Sequence, residues 1–459
     1  MREQTSIPKG KIGRAAALAT AGARMGANYA RYRAKRWISG EDDREGLHRA
    51  NAADSYEALS RLKGGPLKIA QMLSIDTALL PTAYADEFSK AHYQAPPLSY
   101  PLVERTFRRE FGVGPLEIFD EFSRSAVSGA SIGQVHKAVK DGKEFAVKVQ
   151  YPGVADSLRN DLRLVRPLAM RLFDLSAAEI DPYLQEVEAR LVEETDYAME
   201  ARRGADLAAR TIGAVDVRIP RYFPEMSTRR ILTMEWVRGV PLDRFVESEP
   251  GPGARDAIGQ KLWDFYHHQV HSLKAFHADP HPGNFFVKDD ELWVLDFGCV
   301  KEIPGDFHDA YFRLLEPGIA DDPALLEESL RRLDLILDTD SPADRELLMR
   351  MFRESVLLLS RPFFGERFDF GEPGYLAEIR EFGERTGNDP EVKRIGAGRG
   401  SAHGLYVNRA YFGLYSLMGM LGATIRTERP VLKPGGGEAP SNLFPESGSA
   451  RLAGAGAGP

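Results

Sequence analysis

The chain is 459 residues long, 43% hydrophobic and 28% charged, with a formal net charge of -7. That length can bury two to four compact units, and the acidic balance argues against a role in coating nucleic acid, so no nucleic-acid partner is expected. One cysteine, Cys299, rules out an internal disulfide and suits a reducing, cytoplasmic setting.

Residues 1–42 read as a basic segment. Between Pro8 and Gly40 lie Lys9, Lys11, Arg14, Arg24, Arg31, Arg33, Lys35 and Arg36, and no acidic residue. Alanines, Leu18, Met25, Tyr29, Tyr32 and Trp37 are interleaved with them, which suits a basic helix on an anionic membrane surface. The apolar residues are mostly small, so a solvated helix packed on the rest of the protein is the stronger expectation. Residues 43–115 are predicted to form a helical extension, interrupted at Leu79-Leu80-Pro81 and at Pro96-Pro97.

From 116 to 240 the period changes. Strands are predicted around Ala126-Val127, Gln134 to Val139 and Glu144 to Gln150, the last two joined across the turn signal Asp141-Gly142. Asp181-Pro182 predicts a helix start, with Leu184, Val187 and Leu191 at helical spacing and Glu193 and Glu200 on one face of the same helix. Arg230 to Val237 reads as an inner strand. Residues 241–432 are predicted to be mostly helical apart from one short hairpin, and 433–459, rich in Gly, Pro, Ala and Ser, to be disordered. The longest uncharged run, Ala410 to Ile425, falls short of the roughly 20 apolar residues of a spanning helix and is expected to be buried. Any membrane contact is therefore expected to be peripheral, at the inner face.

The strongest chemical signal is His277-Ala278-Asp279-Pro280-His281-Pro282-Gly283-Asn284, followed by a hairpin across Asp289-Asp290 that delivers Asp296-Phe297-Gly298. Magnesium-bound phosphates need hard oxygen ligands on two neighbouring segments, and a hairpin returning from Asn284 sets Asp296 beside it. Asn284 and Asp296 are thus the expected metal ligands, with Asp279 orienting or deprotonating a nucleophile. Upstream, strand alternation points Lys148 away from Val147 and Val149, where a lysine can reach the phosphates of ATP or ADP. Ser128, Gly129, Ala130, Ser131 and Gly133 form a turn whose amides can cover those phosphates. Glu200 is the candidate partner of Lys148.

With these residues in order, the chain resembles the UbiB atypical kinase-like family over most of residues 8 to 430. The resemblance implies an α+β fold of atypical protein-kinase type, two lobes with an N-terminal helical extension covering the cleft. It implies adenine held near Glu235 and Val237, an accessory Glu-x-Asp motif at Glu194 and Asp196, and a regulatory Lys-x-Ala-Gln motif with Lys68 and Gln71 turned towards the cleft. It also implies magnesium, ATPase or small-molecule kinase activity, and a link to ubiquinone or related quinone biosynthesis, with quinone-precursor lipids and proteins of that pathway as partners. Two rivals stay open: a regulatory pseudokinase that binds nucleotide without turnover, and a metalloenzyme using His267, His268, His271, His277 and His281.

Overall fold

In the computed structural model, residues 11–39, 42–62, 98–130, 132–154, 192–395 and 399–427 are described, with scattered positions between 160 and 188. Lys68, Gln71, Ser131, the Asp181-Pro182 start and the 433–459 tail lie outside the described residues. A helix from Lys11 to Ser39 pairs with one from Arg44 to Leu62. Arg24 reaches Glu57 at 2.6 Å, Asn28 reaches Asn51 at 3.0 Å, and Met25 is buried between the two helices. Packing therefore occupies one face of the basic helix, while Trp37 and Ile38 at its end stay exposed.

The small lobe is an antiparallel sheet in the order β1-β3-β4-β5, with β2 added to β3. Its strands are β1 (Glu121–Phe122), β2 (Ser128–Gly129), β3 (Gly133–Lys140), β4 (Lys143–Gln150) and β5 (Ile231–Glu235). The β3–β4 turn uses Asp141 and Gly142 at φ 49° and 71°, the left-handed pair that matches strand twist in a two-residue hairpin. Val147 and Val149 face one side of β4, where they join Phe107, Phe119 and Phe122 under the helix Tyr100–Phe111. Burying each of these phenyl rings contributes about 2–3 kcal/mol, so this face fixes the register that turns Lys148 the other way.

A separate helix, Tyr197–Thr211, supplies Glu200. Here the structure corrects the expectation of one helix carrying both Glu193 and Glu200. The chain breaks at Thr195-Asp196, because the Asp196 carboxylate caps the new helix by accepting from the Met199 amide at 3.1 Å. Glu193 instead pairs with Arg203 at 3.1 Å and Lys301 at 3.7 Å.

The large lobe is built around helix Pro252–His267, which buries Leu262, Trp263, Phe265 and Tyr266. The expectation of one hairpin was too low. Besides β8 (Phe285–Lys288) with β9 (Glu291–Val294), which β6 (Val240–Pro241) joins, β7 (Ala275–His277) pairs with β10 (Val300–Glu302), and β11 (Arg367–Asp369) with β12 (Thr424–Arg426). Strands of three residues are too short to display alternation. The apolar run near the end is likewise two elements: a closing helix, Ala402–Leu421, that buries Leu414, Leu417 and Met418, then Gly422 at φ 58° and β12. Among the described residues no helix is long and apolar enough to cross a membrane.

Candidate nucleotide and metal site

A cavity of about 470 Å³ lies between the sheet and the large lobe. Its roof includes Ser128, Gly129 and Ala130, where the β2–β3 turn is closed by the Ala130 amide on the Gly133 carbonyl at 2.9 Å. Gly133 does not line the cavity. A Cβ there would lie 2.6 Å from both the Tyr197 hydroxyl and the Val149 carbonyl, so this glycine permits close packing beneath the loop. Glu235 and Val237 line the rim, as does Trp236, whose amide donates to the Glu144 carbonyl. The apolar walls, from Val135, Ala146, Met234, Phe286 and Leu295, were missed in the sequence. Alternation could have found two of them: Ala146 shares Lys148's face, and Val135 is its register partner across β3.

Lys148 is the centre of charge. Its ammonium donates to Glu200 at 3.0 and 3.2 Å and to Asp296 at 3.2 Å, with the Tyr197 ring 4.9 Å away. Burial opposes the ammonium, but the Asp296 and Glu200 carboxylates outweigh it and hold its pKa well above the ordinary lysine value. Burial pushes Glu200 up to about 7 against the pull of Lys148, with Asp296 adding its repulsion. One cation thus holds two carboxylates, and burial pushes Glu200 towards neutrality.

The side that carries the candidate metal ligands is assembled by the hairpin. The Leu295 amide closes on the Asn284 carbonyl at 3.0 Å, which brings Asp296 back beside Asn284. Asn284 donates its side-chain amide to the Asp279 carbonyl at 2.9 Å, leaving its oxygen as the atom for a cation. Asp296 Oδ1 accepts from the Gly298 amide at 2.8 Å. His277 ties the two segments together: its Nδ1 accepts from the Asp279 amide at 3.3 Å, so its Nε2 carries the proton and donates to the Asp296 carbonyl at 2.5 Å. A carboxylate and an amide oxygen form a hard donor set that fits magnesium.

Comparison with known proteins decides the family. The ABC1 atypical kinase-like domain matches residues 90–330, more than half of the chain. The chain belongs to the ABC1 atypical kinase-like family. Among its relatives are the mitochondrial atypical kinase COQ8B of Danio rerio, 29% identical over 73% of this chain and 54% of that protein, and the mitochondrial atypical kinase coq-8 of Caenorhabditis elegans, 31% identical over 69% and 43%. The chain spans about half the length of these curated relatives. A solved structure of Rv3197 with erythromycin, from Mycobacterium tuberculosis, superposes with a TM-score of 0.56 at 26% identity, covering 84% of this chain and 96% of that one.

Within this ABC1 fold the remaining motif residues separate. Glu194 is buried and lines the cavity, whereas Asp196 is spent on its helix cap, with Arg229 3.8 Å away. The five histidines are each engaged in the fold. His267 stacks on Trp263 at 4.4 Å, His271 bonds His308 and Tyr411, His268 faces the Arg210 carbonyl, and His281 accepts from the Gly283 amide. Burial pushes His267 down to about 3 and His271 to about 2. Among the described residues no group of three or more His, Cys, Asp or Glu side chains could hold a metal. Sequence reading also missed Arg409, which reaches the Asp279 carboxylate from the closing helix at 3.8 Å. An ion pair between distant segments leaves no local pattern to find.

Proposed function

We propose that this chain is a magnesium-dependent ATPase or small-molecule kinase supporting synthesis of ubiquinone or a related isoprenoid quinone, peripheral to the membrane. The observation that carries the reading is the convergence of Lys148, Glu200, Asp279, Asn284 and Asp296 on one cavity with apolar walls. Asn284 and Asp296 would hold the metal, which would supply positive charge against the phosphates. Once Asp296 turns to that role, Lys148 keeps Glu200 and gives its freed hydrogen to the phosphates. The backbone of Glu235 and Val237 holds adenine. Asp279 takes the proton from an attacking water or small hydroxyl acceptor.

A small acceptor fits the short path after Asp296, since β10 begins at Val300 and the next helix at Gly305, without room for a peptide-docking segment. The relatives named for a role as atypical kinases of the COQ8 type motivate the quinone link, and the Lys68 and Gln71 motif is assigned to regulation of access. The test is magnesium-dependent ATP turnover by purified protein, with and without anionic liposomes and a phenolic quinone-precursor mimic, with Asp296→Asn as control. Turnover that disappears in the control supports the proposal. Nucleotide binding without turnover would replace it with a regulatory pseudokinase.

A further inference from the structure

We infer that Arg409, on the closing helix, is a positioning residue that holds the Asp279 carboxylate in place from behind; the inference rests on the catalytic reading of Asp279 above. Arg409 Nη2 stands 3.8 Å from Asp279 Oδ1, with side chains only 16% and 18% exposed. Asp279 lines the cavity and Arg409 does not, so the guanidinium backs the carboxylate on the side away from the ligand. Its Nε is buried without a hydrogen-bond partner, and among the described residues Asp279 is its ionic partner.

The helix that carries Arg409 is seated on the catalytic loop itself. One turn further on, a Cβ at Gly413 would lie 2.0 Å from Pro280 Cγ, the residue after Asp279. One turn earlier, buried Tyr406 lies under the Lys301 ammonium at 4.9 Å, and Lys301 sits on β10, paired with the strand that carries His277. The helix thus meets the loop at Pro280 and strand β10 at Lys301, with its cation between the two contacts. Phosphates entering the cavity repel the Asp279 carboxylate, and a cation behind it offsets that push in a site where water screens weakly. A carboxylate displaced by about 1 Å costs turnover on the order of 10²-fold without altering how the nucleotide is held.

The experiment compares full-length wild type, Arg409→Ala and Arg409→Lys for ATP turnover and for affinity towards a fluorescent magnesium–ADP analogue. Alanine should lower kcat by about 10- to 100-fold with KM and nucleotide affinity within about two-fold, and lysine should recover part of the loss. A thermal-unfolding cycle of Arg409→Ala, Asp279→Ala and the double variant reads the same contact without turnover, and the double variant should lose less than the sum of the singles. Unchanged kcat, or an affinity loss as large as the kcat loss, would overturn the inference, as would additive unfolding shifts. If wild type binds nucleotide without turning it over, the proposed function falls alone, and the unfolding cycle decides this contact.

Discussion

Lys148 and Arg409 both face carboxylates of the same cleft, but on different terms. Lys148 lies within 3.2 Å of two carboxylates and its side chain is almost sealed from water, whereas Arg409 stands 3.8 Å from one, with no hydrogen bond between them. The first is held by three hydrogen bonds, and in the proposed function Asp296 leaves it when the metal binds. The second is a single charge contact behind one carboxylate. In the proposed function the nucleotide side is thus set by hydrogen bonds and the Asp279 side by one charge contact.

The largest effects should separate these roles. In the proposed function Asp296→Asn removes the one charged group of the metal site and should depress ATP turnover about 10³-fold, while Lys148→Ala should weaken magnesium–nucleotide affinity at least about 10-fold. Arg409→Ala should leave that affinity untouched. Equal affinity losses at Lys148 and Arg409 would erase the distinction between the two sides.

Acidity sharpens the comparison, because the buried carboxylate of the cleft and two buried histidines beside the closing helix titrate in opposite senses. Glu200 is raised by burial from its ordinary value of 4.5 to about 7. Its contribution to stability is therefore complete below about pH 4.5 and is lost as pH rises through about 7, on the order of 3 kcal/mol in all. His267 and His271, behind the closing helix, are lowered by burial from 6.5 to about 3 and about 2. Their contribution is complete above about pH 6.5 and falls away in acid, by about 2 kcal/mol each at pH 5. Unfolding measured from pH 5 to 8 should show Glu200→Gln gaining on wild type as pH rises and His267→Phe gaining as it falls. His267 Nε2 has no hydrogen-bond partner to lose, and phenylalanine can keep the stack on Trp263. Parallel pH profiles for both variants would show that these groups do not titrate as their burial requires.

The same division marks what was legible in the sequence. Lys148, Asp279, Asn284 and Asp296 were readable because each sits at a fixed offset within one strand, loop or hairpin, and the structure brings all four to one cavity. The two-lobe α+β fold followed from the change of period after residue 115 and from the family resemblance. What depends on contact between remote segments was silent. Gly133 was read as a phosphate-loop glycine, and only the Tyr197 hydroxyl and Val149 carbonyl pressed against it reveal a packing role. Asp196 was read as a motif residue, although the capping logic applied to Asp181 would have ended the preceding helix there. The strands β7, β10, β11 and β12 depend on partners up to dozens of residues away, and Arg409 on a helix that touches the catalytic loop only in the folded chain.

The smallest predicted effects test whether that helix is the frame of the loop, by using two of its glycines as controls for one another. Gly413→Ala must place a methyl where Pro280 already lies, 2.0 Å from its Cγ and 2.7 Å from its Cβ, and a proline ring in a short loop cannot turn aside. The variant should lose about 1–3 kcal/mol in thermal unfolding and lose turnover as well, since the displaced residue adjoins Asp279. At Gly404, on the same helix, the nearest atom to a new methyl is Phe307 Cζ at 3.8 Å, an ordinary contact. There alanine should stabilise by up to about 1 kcal/mol through its better helix propensity and leave turnover unchanged. If both alanines stabilise alike, the closing helix does not bear on the catalytic loop, and the route by which Arg409 reaches Asp279 disappears with it.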